Sequence, residues 1–154
     1  MRQPMRGPKA ILQLESYLPY LVNRVGTALA AQFTDAALER HRLSIMMWRV
    51  LVVLSNNGGR RLVDISQMTS IDLSTLSRMV ARLVRLGHVS RKRSKTSDRE
   101  VEVKLTPQGK RLVARIIPMG LEYERQVVRN IPPADLSVAQ RVLGQMYANL
   151  LKAD

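Results

Sequence analysis

Between Leu62 and Leu105 the apolar residues change period, from the three-and-four spacing of a helix to the alternation of a strand, and this change constrains the fold most. A short helical run from Leu62 to Met68 leads into Thr69, Ser70, Ile71 and Asp72, which read as a turn. A second helix runs from Leu73 to Leu86 and stops at Gly87. Two short helices joined so briefly make a helix-turn-helix. Val89 and Arg91 then lead into polar Ser94 to Asp98, and Val101, Val103 and Leu105 return with Glu100, Glu102 and Lys104 between them. Such alternation predicts a two-stranded hairpin with a charged tip, a wing beside the helix pair.

Helical patterns flank this unit. Ile11, Leu14, Leu18, Leu21, Val25 and Ala28 form one apolar stripe, which predicts a helix from Ile11 to about Thr34. Ser44 is placed to cap a helix through Ile45, Met46, Trp48, Val50, Leu51 and Leu54, stopped by Asn56, Asn57, Gly58 and Gly59. Its apolar residues lie nearly all round, so burial on every side is expected. Thr106-Pro107 opens a further helix with Leu112, Val113, Ile116 and Ile117, in which Pro118 predicts a kink. Ile131-Pro132-Pro133 breaks the chain before a last amphipathic helix carrying Leu136, Val142, Leu143, Met146 and Leu150. The fold class is mainly α with a small β-hairpin wing.

The charge narrows the partners. With 25 Lys and Arg against 12 Asp and Glu, the 154-residue chain carries a formal charge of +13, more than solubility requires. Nucleic acid is the first candidate partner and an anionic membrane surface the second. No apolar run approaches the roughly 20 residues that span a bilayer, so a cytoplasmic protein is expected. Cysteine is absent, and His41 and His88 have no partner at metal-ligand spacing, so neither metal nor cofactor is expected. There is no phosphate-binding glycine loop and no partnered carboxylate pair, which argues against an enzyme.

The basic residues are concentrated where the helix-turn-helix and wing lie. Arg78, Arg82, Arg85, Arg91, Lys92, Arg93, Lys95 and Arg99 follow one another with a single acid, Asp98, amid the last of them. Arg78, Arg82 and Arg85 share one face of the second helix, with Leu76, Val80, Leu83 and Val84 expected toward the other. A solvated basic face is the bland alternative, which the coupling to a helix-turn-helix disfavours. Ser74, Thr75 and Ser77 near the helix start suit phosphates or base edges, although Ser74 and Thr75 equally suit capping of their own helix. Arg78 is long enough to reach guanine O6 and N7. Lys95 and Arg99 flank the wing tip, where a cation can enter a narrow minor groove or simply guard an edge strand.

Asp72-Leu73-Ser74-Thr75-Leu76-Ser77-Arg78-Met79-Val80-Ala81-Arg82-Leu83, then Gly87-His88-Val89, then Asp98-Arg99-Glu100-Val101-Glu102-Val103-Lys104-Leu105-Thr106-Pro107-Gln108-Gly109, resemble the MarR family of regulators over nearly the whole chain. The resemblance implies that the helix from Asp72 reads the major groove, that Arg99 is the wing arginine, and that the terminal helices form a dimer. Ser74, Thr75, Ser77, Arg78 and Arg82 are the implied groove-facing set, and Arg93 and Lys95 of the basic hairpin complete the expected DNA contacts. Family wings often read acid, any residue, arginine; here Ser97 stands in the acid's place and Asp98 directly precedes Arg99.

The implied organisation is a disordered basic tail over 1–10, a helical dimerisation region over 11–36 and 108–152, and a winged helix-turn-helix lobe over 44–106. An effector pocket where the dimer helices meet the lobe is also implied, with Tyr17, Tyr20, Arg24, Arg40, His41, Met47 and Trp48 as candidates. Met47 and Trp48 equally suit plain core packing. Rings beside cations suit an aromatic carboxylate or an aryl-CoA thioester. The expected protein is a homodimeric repressor released by such an effector from double-stranded DNA bearing a pseudo-palindromic operator. The alternative is an architectural or nucleoid-type DNA-binding protein without effector control.

Overall fold

The structure, a computed structural model, describes residues 11–93 and 101–152. The expected tail over 1–10 and the wing tip with Lys95 and Arg99 lie outside the described residues. The elements run α1 (Leu18–Phe33), α2 (Ile45–Asn57), β1 (Arg60–Arg61), α3 (Leu62–Thr69), α4 (Leu73–Arg85), β2 (Val89–Arg93), β3 (Val101–Leu105), α5 (Pro107–Val127) and α6 (Pro133–Leu151).

The first helix starts later than its apolar stripe predicts. Pro19 sits in the first turn of α1, where its missing N–H costs nothing, but its ring would clash with the carbonyl four residues back if the helix continued upstream. The preceding Leu14–Ser16 form only a 3-10 turn. After Phe33 the chain stays coiled through a π turn, Thr34–Leu38, and a 3-10 turn, Glu39–His41. Arg42, in the left-handed region at φ 57°, ends this stretch.

Ser44 caps α2 as expected, its hydroxyl accepting the Met47 N–H at 3.2 Å, and Gly58 at φ 71° ends the helix. Met47, Val50, Leu51 and Leu54 are buried while Met46 is exposed, so burial is one-sided. The other side of α2 faces a cavity described below. In the α3–α4 turn Ser70 takes the left-handed conformation, the Ser66 hydroxyl donates to the Ile71 carbonyl at 2.6 Å, and Ile71 is buried.

The wing belongs to a three-stranded antiparallel sheet of order β1-β3-β2, one strand more than the predicted hairpin. Val89 pairs with Leu105 and Arg93 with Val101, while Arg60 pairs with Val103. β1 is two arginines, with no apolar alternation to announce it; the returning β3 provides its pairing edge.

Thr106 fastens α5 to the lobe. Its hydroxyl accepts the Gly109 N–H at 3.0 Å and donates to the Gly87 carbonyl at 2.6 Å. Gly109 is required by close approach, because a Cβ there would lie 2.0 Å from the His88 carbonyl oxygen. α5 is one helix that carries Pro118 inside it; Pro118 and Ala114, whose carbonyl loses its partner, are both exposed to water.

One core joins α2, α3, α4, the sheet and the first half of α5, with Leu51, Ile65, Leu76, Val80, Leu83, Val103 and Ile116 among its fully buried members. It does not stop at residue 106, since Leu112, Val113 and Ile116 of α5 fill it. α6, by contrast, buries none of its side chains in the single chain.

Candidate nucleic-acid interface and effector cavity

Helix α4 is two-faced because its apolar residues repeat with helical period. Leu76, Val80 and Leu83 are buried, and Ser74, Arg78, Arg82 and Arg85 are exposed. The N-cap is Asp72, whose Oδ1 accepts the Thr75 N–H at 2.9 Å, so neither the Ser74 nor the Thr75 side chain is needed as the cap. The same backbone N–H holds the Asp72 carboxyl below its usual range, with the Thr75 hydroxyl and the Arg78 charge adding to it. Arg78 donates to the Thr75 Oγ1 at 3.3 Å, and Arg82 donates to the Arg42 carbonyl at 3.2 Å. These light tethers leave both guanidinium groups on the exposed face. Ser77 and Thr75 are half-buried at its edge.

Arg91 and Lys92 of β2 extend the basic surface onto the wing, and Arg93 occupies the last position of that strand. The arrangement presents a row of cations on a rigid helix and the adjoining strand. Such a surface fits a polyanionic duplex through phosphate contacts, with base edges open to the longer side chains.

A cavity of about 680 Å³ lies between α1, α2 and α5. Its walls follow helical spacing on each element: Gly26, Leu29, Ala30 and Phe33 on α1, Ile45, Trp48, Arg49 and Val52 on α2, and Ile117, Gly120, Leu121 and Glu124 on α5. Three rings meet in its wall, with Phe33 6.2 Å from Trp48 and 5.5 Å from Tyr123 between centroids. The Tyr123 hydroxyl donates to the Leu29 carbonyl at 3.3 Å, which ties α5 to α1.

Among the effector candidates named from the sequence, Trp48 lines this cavity. Met47 is in the core, Arg24 is exposed, and Tyr17 and Tyr20 lie on α1 or just before it, outside the cavity lining. Arg40 donates to the Met119 sulfur at 3.1 Å, and His41 lines a different, smaller cavity. Phe33, Tyr123 and Arg49 were missed. A second stripe on α1, with Gly26, Leu29, Ala30 and Phe33 at steps of three, one and three, was the available signal.

The comparisons with known proteins fall on this same architecture. The family model described as MarR family matches residues 43–100, the lobe that carries α2 to the wing. A solved MarR family transcriptional regulator from Silicibacter pomeroyi DSS is 30% identical and superposes with a TM-score of 0.78, covering 88% of this chain and 91% of its own. The chain belongs to the MarR family. The HTH-type transcriptional repressor IacR of Pseudomonas putida is 26% identical over 77% of this chain and 71% of its own length. BpsR of Bordetella bronchiseptica shares the fold at 24% identity and a TM-score of 0.76, over 84% of this chain and 98% of its own; its DNA binding is regulated by 6-hydroxynicotinic acid. This MarR-family chain is therefore a transcriptional regulator with a winged helix-turn-helix fold. Among the described residues no helix is long and apolar enough to cross a membrane.

Proposed function

We propose that the protein is a two-fold symmetric dimer that represses transcription from a pseudo-palindromic operator and is released by a small aromatic acid. The observation that carries the release is the aromatic cavity between the terminal helices and the lobe. Its volume of about 680 Å³ lies within the range of small-molecule sites, roughly 300–1,000 Å³. The Phe33, Trp48 and Tyr123 rings suit an aromatic body, and Arg49 beside them suits a carboxylate. That BpsR answers to an aromatic acid supports the same reading here.

Dimerisation is supported by what the single chain leaves uncovered. Leu18, Val22 and Val25 of α1 and Val138, Val142, Leu143 and Leu150 of α6 are exposed apolar side chains on helices of 16 and 19 residues. Such faces are stable in water only when covered, and a second copy over 11–36 and 108–152 would cover them. Paired subunits would set two α4 helices about 34–36 Å apart, one turn of duplex. Ser74, Thr75, Ser77, Arg78 and Arg82 would then meet the major groove, with Arg93, Lys95 and Arg99 on the wing side.

The α6 helix also touches the reading head, since the Tyr147 hydroxyl lies 2.6 Å from the Ser70 hydroxyl in the α3–α4 turn. A ligand that separates α1, α2 and α5 would shift the population of dimers toward a spacing that no longer fits the operator. Selection of bound fragments from the source chromosome, followed by release with a panel of benzoic, nicotinic and phenylacetic acids, tests the proposal. Release by at least one of them is expected. Retention of DNA in the presence of every ligand that binds the cavity would refute effector control.

A further inference from the structure

Three segments far apart in the chain meet at a second cavity, of about 200 Å³, lined by His41, His88, Gln108, Arg111, Leu112 and Arg115. His41 closes the 3-10 turn before α2, His88 lies between α4 and β2, and Arg111 and Arg115 stand one turn apart on α5. His88 is only 8% exposed. Its Nδ1 and the His41 Nε2 are buried with no hydrogen-bond partner among the described residues. Both rings line the cavity beside Arg111 and Arg115, so imidazole and guanidinium groups converge where a ligand would sit.

The charge around them selects its sign. Burial, first of all, holds both imidazoles below their usual pKa; the Arg40 and Arg115 charges add to it at His41, and His41 adds to it at His88. Among the described residues no carboxylate lines the cavity, and neither Arg111 nor Arg115 has an ion pair or side-chain hydrogen bond. A metal ion would meet two guanidinium charges and only two imidazoles. Among the described residues no group of three or more His, Cys, Asp or Glu side chains could hold one.

We propose that this cavity binds a small oxyanion, the carboxylate or phosphate group of a metabolite, gripped by Arg111 and Arg115 and by N–H donors of His41 and His88. Guanidinium groups match both head groups by paired N–H donors. The site is separate from the aromatic cavity, and it bridges α5 to the junction of α4 with the wing. An anion there clamps the reading lobe to the helix it shares with the terminal region.

The chain has two histidines and both line the cavity, so their imidazole resonances report on it directly. The full chain, labelled with nitrogen-15, is titrated at constant ionic strength with inorganic phosphate, with acetate and with chloride. Phosphate or acetate is expected to shift both imidazoles along one saturable curve, and whichever saturates names the head group. Arg111→Gln with Arg115→Gln is expected to weaken that binding by at least about tenfold, and His41→Gln alone to weaken it measurably. A response to phosphate and acetate that does not saturate and is no larger than the response to chloride overturns the proposal. So does unchanged affinity in both variants, or saturation by Zn²⁺ with no response to either anion.

Discussion

Replacing Gly109 by alanine tests how closely α5 must press on the base of the wing. The added Cβ would lie 2.0 Å from the His88 carbonyl oxygen and 2.9 Å from its carbon. Carbon and oxygen settle at about 3.3 Å, so α5 would have to withdraw by about 1.3 Å. The obstacle is backbone, which cannot turn aside as a side chain can. Withdrawal would pull Leu112, Val113 and Ile116 from the core and stretch the Thr106 N–H bond to the same carbonyl, now 3.0 Å. Overpacking of this kind costs roughly 1–3 kcal/mol or more, and the better helix propensity of alanine returns about 1 kcal/mol. A contact with backbone as close as 2.0 Å puts the cost at the upper end, about 3 kcal/mol, so the expected net loss is about 2 kcal/mol, which for a chain of this size lowers Tm by about 4–8 °C. Urea and thermal unfolding followed by circular dichroism, at one fixed protein concentration, measure it. Gly120→Ala in the same helix is the control. Its Cβ would meet Phe33 at an ordinary 3.5 Å, so stability should hold or rise by up to about 1 kcal/mol. Gly109→Ala as stable as the parent chain would refute the reasoning.

Thr106→Val removes both the α5 cap and the bond to the Gly87 carbonyl; a loss of roughly 1–3 kcal/mol in urea unfolding is expected, and none would show that water replaces both bonds. Arg78→Ala should lose discrimination at one base pair by about 1–3 kcal/mol in competition binding, whereas equal weakening on specific and random DNA would assign Arg78 to phosphate. Trp48→Ala should abolish the effector response while DNA affinity without effector stays near that of the parent, and an unaltered dose response would move the ligand elsewhere. The histidines give a pH dependence. Because both folded pKa values lie below the ordinary 6.5, the unfolded chain takes up protons that the folded chain does not as pH falls through that value. Stability is therefore full above pH 6.5 and declines below it, before Asp64 and Asp72, also lowered, begin to matter near pH 4 and under. Urea midpoints between pH 7.5 and 5.5 that stay level would contradict the burial of these rings.

Much of the lobe was legible because its signals are local. Ser44 caps where its residue type predicts, Pro107 opens α5 where its ring is tolerated, and the period of Leu76, Val80 and Leu83 places Arg78 and Arg82 on the opposite face. What escaped was set by contacts between distant segments. β1 exists only as a partner for β3, and the start of α1 is decided by Pro19 against an apolar stripe that runs on upstream. The cavity wall was hidden for the same reason. Phe33 and Tyr123 stand 90 residues apart in the numbering and meet at 5.5 Å, which no spacing within one helix can disclose. His41 and His88 read as unrelated in sequence, and only the packing of α5 across the lobe brings them to one cavity.

Hydroxyl-radical footprinting on a fragment selected from the source chromosome measures most directly whether the basic face of α4, paired with that of a second copy as proposed, selects a duplex. Two protected patches related by a two-fold axis, with centres about 34–36 Å apart and lost together on Arg78→Ala with Arg82→Ala, are the expected result. Even protection along the whole fragment, the same on shuffled sequence, would contradict it and leave a protein that coats DNA by charge alone.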